Sequence, residues 1–550
     1  MDTFLAGRSF KDPQPEVPSS TPSMLWRTLH NTVLVGETLS PPQPSHCTKI
    51  ASFDFDGTIA GVNGSHVMPK HGDDWKWFSP AVPTTLKLLH DLGYRIVIFS
   101  NQMGILDSAK AGKNFKGTSV FKGRVENVVR ALTLANSAPA LNDDQPPNTI
   151  NNTDTCQIPL LFLAATSKDF FRKPRPGMWH LFSTELNGEM PDVGTAIDLE
   201  SSFYCGDAAG RTRSNWNSVL PRPKDHSDSD YKFALNIPVR FIVPEVLFAA
   251  KTVAALKLCL QGDTVNKIVG IIPPDLEKLA GFKLTPTPLF SPKNCIVAPD
   301  SIHRTSEIIE SISRRNLCRK NNNAGSNILH QPELIICIGL PASGKSSFVQ
   351  SHLLPLGFVY VNQDTLGSRA KCAQVLREAL SAGRSVVVDN MNPDSATRKF
   401  YVDAAHKATQ ALSISNDTSN TTTTNHCDLE TTSPPKTLYV TALHFNSPLE
   451  LCMHNNMYRE MSEHGRRWVA PLSKDDARET PNAPLVGSEK FHTTPSRTPH
   501  SHVPDMVFHM YAKSYQPPNV KEGFDEIHQI PFIPEFTSSY EERLWKLYYR

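Results

Sequence analysis

An apolar run, Leu334 to Ile338, passes directly into Gly339-Leu340-Pro341-Ala342-Ser343-Gly344-Lys345-Ser346 and then into a helical pattern from Ser347 to Leu354. Few sequence features restrict a fold more. The spacing G-x-x-x-x-G-K-[ST] works where a buried strand ends in a loop that opens a helix, so that backbone N–H groups close around phosphates. Such a strand needs parallel neighbours covered by helices, so this half of the chain should be α/β. Gly339 and Gly344 let the loop close, Lys345 reaches β and γ oxygens, Ser346 ligates Mg²⁺ at the helix N-terminus, and Ser347 follows in the same turn. ATP, or another nucleoside triphosphate, is the implied ligand.

Further acids sit where strands of that half end. Asp364 follows Tyr360-Val361-Asn362-Gln363 and is placed to accept the proton of an attacking hydroxyl. Asp389 closes Val386-Val387-Val388, the position of a Walker-B-like contact to water or metal. Arg459, on the helical stretch Leu449 to Met461, can close over a γ-phosphate as a lid arginine, or can be an ordinary solvated side chain.

The N-terminal half carries a different constellation. Ile50-Ala51-Ser52-Phe53 leads into Asp54-Phe55-Asp56-Gly57-Thr58, which puts two carboxylates on one side of a strand end. One can attack phosphorus while the other delivers and removes a proton, with a divalent cation neutralising the assembled charge. The same wording also fits a cation-binding turn, and the companions separate the two readings. Ile96-Val97-Ile98-Phe99 ends in Ser100, Lys173 lies in Arg172-Lys173-Pro174, and Phe203-Tyr204-Cys205-Gly206 ends in Asp207. Nucleophile, hydroxyl, lysine and metal carboxylate thus arrive in the order used by haloacid-dehalogenase-like phosphatases.

Composition sets the surroundings. The chain has 550 residues with 56 Lys+Arg against 54 Asp+Glu, a formal charge of +2, so any nucleic-acid surface must be a local patch. Ten cysteines lack the density or pairing of a disulfide or zinc scaffold, which implies a reducing compartment inside the cell. The most apolar long window, Val239 to Leu260, is broken by Arg240, Pro244, Glu245, Lys251 and Lys257; it reads as strand and amphipathic helix, with no membrane span expected. The expected organisation is a flexible leader at 1–45, a phosphatase domain at 46–283, a linker at 284–330 and a P-loop domain at 331–550. Surface insertions are expected near 136–154, and low-complexity insertions at about 410–436 and 463–501.

Taken together, the two constellations resemble the eukaryotic polynucleotide kinase 3′-phosphatases. The likeness rests on Phe99 to Ile105, Arg172-Lys173-Pro174, Gly206 to Arg211 and Phe233 to Asn236 in the first half. In the second half it rests on Gly339 to Ser346, Asp364 to Ser368, Val388-Asp389-Asn390, His454-Asn455-Asn456, Arg459-Glu460-Met461 and Glu522-Gly523-Phe524. The resemblance implies two α/β domains, a haloacid-dehalogenase-like phosphatase and a P-loop kinase. It implies Asp54 as phosphorylated nucleophile, Asp56 as general acid and then base, and Asp54, Asp56 and Asp207 at Mg²⁺. Ser100 and Lys173 would hold the phosphoryl group, with Asp225 or Asp228 in support. It further implies Asp364 as base toward a 5′-hydroxyl, with Arg398 and Arg459 assisting phosphates. Substrates would be DNA ends bearing 3′-phosphate or 5′-hydroxyl at nicks, gaps and breaks, in the nucleus with a mitochondrial pool left open, and a monomer is the default.

The sequence also departs from that family. Gln363 stands where an arginine is usual, and Met453 and Met457 replace basic residues. The forkhead-associated domain of many animal relatives has no counterpart in the leader, so recruitment through it is not expected. Three other readings stay open: a phosphatase-dominant enzyme with a kinase weakened by those replacements, a small-metabolite phosphatase/kinase, and a break-binding scaffold. Lys168, Arg172, Arg175, Arg222 and Lys224 are the basic residues available to a DNA channel.

Overall fold

The computed structural model describes residues 24–39, 44, 46–66, 68–103, 105, 116–137, 158–188, 196–211, 224–250, 252–261, 299–321, 331–417, 438–465, 503–536 and 538–550. The expected insertions therefore lie almost wholly outside the described residues. Two compact units divide the chain, Met1–Pro288 and Leu289–Arg550.

In the first unit the apolar runs become parallel strands buried on both faces, as their unbroken hydrophobicity requires. Strands β1 (Met24–Leu29), β2 (Val33–Thr38), β3 (Ile50–Phe53), β6 (Arg95–Asn101), β7 (Leu160–Ala165), β8 (Phe203–Cys205) and β9 (Arg240–Ile242) form one sheet, and β4 (Ala60–Gly61) and β5 (Lys76–Trp77) a small separate ribbon. The order is β1-β2-β7-β6-β3-β8-β9. From β3 the chain builds outward to β6 and β7, then returns to β8 and β9 on the other side. Strand order reverses at β3, and that reversal opens a crevice at the carboxyl ends of β3, β6 and β8. Phe53, Phe55, Ile98, Phe121 and Phe162 join one buried core beneath it.

The expected leader is corrected over residues 24–38. Strands β1 and β2 make an antiparallel hairpin, and β2 pairs antiparallel with β7, carrying Val33, Leu34 and Val35 into the interior. The turn is sharp because His30 and Asn31 take φ of 48° and 62°. The alternating residues of this hairpin were overshadowed by the Pro- and Ser-rich stretch before them.

The second unit is a parallel sheet ordered β11-β12-β10-β13-β14: β10 (Glu333–Gly339), β11 (Val359–Val361), β12 (Val386–Val388), β13 (Tyr439–Phe445) and β14 (Glu526–Gln529). Central β10 is buried along its whole length and aims the glycine loop between its neighbours.

Part of the expected linker is also corrected, because Pro299–Asn321 is a helix of this unit. Its Ile312 is buried with Ile335, Cys337 and Leu443. Arg315 pairs with fully buried Glu333 at 2.9 Å and with Glu526 at 3.3 Å, its guanidinium 4.7 Å from the Tyr439 ring centre. The Arg-rich wording that resembled a solvated linker thus contains an arginine that closes the sheet edge. The window 239–260 folds as read, into β9 and helices Pro244–Leu247 and Val253–Gln261. Among the described residues no helix is long and apolar enough to cross a membrane.

Candidate active sites

Strand β3 ends at Phe53, and Asp54 continues its pairing by donating its N–H to the Cys205 carbonyl at 2.8 Å. This delivers the Asp54 carboxylate into the crevice while leaving it only 8% exposed. Lys173 Nζ donates to Asp54 Oδ1 at 2.6 Å, to the Tyr204 hydroxyl at 2.7 Å and to Asp230 Oδ1 at 2.8 Å. Those acceptors match the three protons of an ammonium group. Tyr204 in turn donates to Asp230 Oδ1 at 2.9 Å. Burial pushes Asp54 up to about 7 although Lys173 pulls the other way. Burial also acts to lower the Lys173 ammonium, but Asp230 and Asp54 outweigh it and its pKa rises.

Asp56 lies two residues on and faces different partners. Arg124 Nη1 meets its Oδ1 at 2.6 Å, and Gln102 Nε2 donates to its Oδ2 at 2.7 Å and to Ser100 Oγ at 3.0 Å. Ser100 is buried at the end of β6, on the crevice floor. Gly57 makes the turn possible: its φ is 77°, and a Cβ there would lie 2.5 Å from Asp207 Oδ2.

Asp54, Asp207 and Asp230 each offer an oxygen within 4.8 Å of the others. Asp230 is already engaged, its Oδ1 by Lys173 and Tyr204 and its Oδ2 by the Ala208 N–H at 3.0 Å. Asp207 Oδ1 is buried with no hydrogen-bond partner among the described residues, and burial together with Asp54 holds this carboxyl well above the usual range. An orphaned buried carboxylate oxygen beside a second carboxylate fits a hard divalent cation. Of the expected metal ligands the structure joins Asp54 and Asp207, adds Asp230, and turns the Asp56 side chain toward Arg124 and Gln102. Asp225 shapes the loop instead, holding Arg211 at 2.7 and 3.0 Å, and Asp228 pairs with Lys232 at 2.8 Å. Among the basic candidates, Lys168 and Lys224 are exposed, Arg175 is buried and donates to the Asp169 carbonyl at 2.6 Å, and Arg222 lies outside the described residues.

In the second unit the glycine loop leaves β10 and turns into helix Lys345–Phe348, with Gly344 at φ 96°. A Cβ on Gly339 would lie 2.8 Å from the Phe445 carbonyl oxygen. Lys345 is buried, donating to the carbonyls of Gly339 at 2.9 Å and Leu340 at 2.6 Å, and burial lowers its ammonium. Asp389 is buried at the end of β12 and accepts the Tyr360 hydroxyl at 2.8 Å. A cavity of about 420 Å³ adjoins the loop, lined by Lys345, Ser346, Ser347, Arg459 and Trp545 among others. Asn455 pins the loop from outside: it donates to the Ala342 carbonyl at 3.0 Å and accepts the Trp545 indole N–H at 2.9 Å, which supports Ala342 at φ 58°.

Asp364 stands on the single turn Gln363–Leu366, exposed, its N–H capped by the Asn362 side chain at 2.9 Å. Gln363 is exposed and Met457 is buried in the core. The expectation that Arg398 assists phosphates is corrected. Arg398 is fully buried, donates to Glu522 through Nε at 2.7 Å and Nη2 at 2.8 Å, and caps the Asn392 and Pro393 carbonyls. All of its charge is absorbed by internal partners.

Asp230, Tyr204 and Arg124 were not singled out in the sequence, and Asn455 stood in a family motif without a role of its own. Asp230 lies in the first turn of helix Ser229–Asn236, beside the Asp225 and Asp228 that were named, and only the fold tells which acid turns inward.

Residues 49–248 match the family described as polynucleotide kinase 3 phosphatase, and residues 334–471 match an AAA domain. A bifunctional polynucleotide phosphatase/kinase of Schizosaccharomyces pombe is 27% identical over 91% of this chain and 83% of its own length. The chain belongs to the polynucleotide kinase 3 phosphatase family. A putative bifunctional polynucleotide phosphatase/kinase of Acanthamoeba polyphaga mimivirus is 26% identical over 90% of this chain and 88% of its own length. A polynucleotide 3′-phosphatase of Saccharomyces cerevisiae is 29% identical over 37% of this chain and 88% of its own length. The chain is therefore an enzyme with a phosphatase domain followed by a P-loop kinase domain; Asp54, Asp56, Ser100, Lys173, Asp207 and Asp230 fall inside the first segment, and Lys345, Ser346, Asp364, Asp389 and Arg459 inside the second.

Proposed function

We propose that this chain repairs DNA strand-break ends, removing a 3′-phosphate and phosphorylating a 5′-hydroxyl. The observation that carries the reading is the buried Asp54–Lys173 pair beside Asp56, on the same chain as a P-loop and the exposed Asp364. The relatives named for both activities span nine-tenths of the chain, which supports a polynucleotide over a small metabolite.

In the first site Asp54 attacks phosphorus and becomes an aspartyl-phosphate. Lys173, fixed by Tyr204 and Asp230, stays charged beside the transferring group, and Ser100 offers its hydroxyl to a phosphoryl oxygen. Asp56 protonates the departing 3′-oxygen and then takes a proton from the water that releases phosphate. Asp54 and Asp207 would hold Mg²⁺, which supplies charge neutralisation at the phosphoryl oxygens. In the second site the loop amides and Lys345 would hold the ATP phosphates, Ser346 would hold Mg²⁺ with Asp389 as the Walker-B-like contact, and Arg459 lines the cavity that Lys345 and Ser346 line. Asp364 accepts the proton of the incoming 5′-hydroxyl. Because Met457 is core, its replacement of a basic residue leaves the phosphate-facing charge set by Lys345 and Arg459. A nuclear location is part of the proposal, since the substrate is there.

The test is a nicked duplex with 3′-phosphate and 5′-hydroxyl at the nick, incubated with protein and Mg²⁺ with and without ATP. We expect ATP-independent loss of the 3′-phosphate and ATP-dependent gain of a 5′-phosphate. No change at either end overturns the reading.

A further inference from the structure

Arg124 belongs to helix Lys116–Ser137, outside every sequence motif of the phosphatase site, yet among the described residues it is one of the largest fully buried side chains. Its guanidinium lies 4.9 Å from the Phe55 ring centre, and its Nη1 meets Asp56 Oδ1 at 2.6 Å while the Asp56 side chain stays 44% exposed. Its Nη2 contacts the Ala60 carbonyl at 3.5 Å, and its Nε is buried with no hydrogen-bond partner among the described residues. A buried guanidinium with one donor unused needs a compensating interaction. Here that interaction is the carboxylate of Asp56. Gln102 grips the other oxygen at 2.7 Å and is itself bonded to Ser100. The carboxylate is thus held at both oxygens, from a helix on one side and a strand end on the other, and its rotamer is set before substrate arrives.

We infer that Arg124 is a positioning residue for proton transfer: together with Gln102 it fixes the orientation in which Asp56 meets the departing oxygen. This rests on the reading of Asp54 and Asp56 given above. In the step concerned, the phosphorus–oxygen bond to the leaving group breaks, the new bond runs from Asp54 Oδ to phosphorus, and the Asp56 proton passes to the leaving oxygen. An alkoxide leaving group depends on that proton, whereas p-nitrophenolate leaves without it. Losing the orientation of Asp56 therefore costs rate in proportion to the basicity of the leaving group.

The test uses the full chain carrying Arg124→Gln, Arg124→Lys, Asp56→Asn, or Arg124→Gln with Asp56→Asn. Turnover on a 3′-phosphorylated oligonucleotide and the pre-steady-state burst of p-nitrophenolate from p-nitrophenyl phosphate are measured for each. Arg124→Gln should lower kcat on the oligonucleotide by about 10²-fold, the lower range for proton-transfer catalysis, with KM unchanged. The burst should fall much less, and Arg124→Gln should add nothing to Asp56→Asn because the two act as a unit. Equal losses on both substrates, an additive double variant, or a changed KM would overturn the inference. If Arg124→Gln does not fold, Arg124→Lys, which keeps the buried charge but loses the fork, decides by the same two readouts. A wild type inert on the oligonucleotide would sink the functional reading rather than this inference.

Discussion

The two sites hold their key aspartates in opposite ways. Asp54 is sealed, 8% exposed, its Oδ1 committed to a lysine that two further groups hold still. Asp364 stands in the open on one turn of helix, its backbone capped by Asn362. In the proposed mechanism Asp54 is a covalent nucleophile, which must wait, correctly aimed and electrostatically balanced, for any phosphate that enters, and surroundings built in advance suit that role. A base that takes one proton from a bound hydroxyl can stay solvated until the substrate covers it. In the second unit the preorganisation is spent on the phosphate cradle instead, where Lys345 is buried and Asn455 ties Ala342 to Trp545.

Breaking either centre should leave the other intact. Asp54→Asn should remove phosphatase activity by about 10⁴-fold or more, the scale of losing an essential nucleophile, with kinase turnover unchanged. Lys345→Ala should do the reverse, lowering kinase turnover by about 10²–10³-fold, as for loss of one preorganised donor. Paired end-labelled assays on one oligonucleotide check both, and parallel losses in the two activities would dissolve the comparison.

Arg398 sharpens it further, because a phosphate-binding arginine and a structural one fail differently. Arg398→Ala should leave Glu522 buried without its partner and destabilise the second unit by roughly 3–5 kcal/mol, read by chemical denaturation. ATP affinity at low temperature, where the fold survives, should stay near wild type. An unchanged midpoint with weakened ATP binding would restore the phosphate role.

The gentlest probe is pH. With Asp54 pushed up to about 7, the folded site without metal carries its proton below that value, and a cation must displace it. Apparent Mg²⁺ affinity of the phosphatase site should therefore rise with pH by at least about tenfold per unit below about 7, because Asp207, held up by burial and by Asp54, must lose its proton as well; titration calorimetry in buffers of different ionisation enthalpy measures it. A flat profile from pH 5 to 8 would show that Lys173 keeps Asp54 ionised throughout.

Much of this was legible in the sequence because strand ends are local. Asp54, Ser100 and Asp207 each follow a short apolar run, and a parallel sheet brings such ends to one edge whatever the lengths between them. The P-loop was legible for the same reason. Arg124 and Tyr204 were not, since one is a basic residue in an amphipathic helix and the other a buried strand aromatic, and neither pattern announces its partner. Ile308, Ile309 and Ile312 pack helix Pro299–Asn321 onto the second sheet, but three apolar residues among Arg, Ser and Glu read as linker. Arg398 shows the converse error: the family resemblance lends it a phosphate role until Glu522, far along the chain, is seen to claim it.

The central claim is that Asp54 carries the phosphoryl group. Acid-quenching a single turnover on a 3′-phosphorylated oligonucleotide, reducing the acyl phosphate with borohydride and mapping the peptides by mass spectrometry should find the modification at Asp54, absent in Asp54→Asn. Modification at Asp56 or Asp207, or a competent turnover with no trapped adduct, would contradict it.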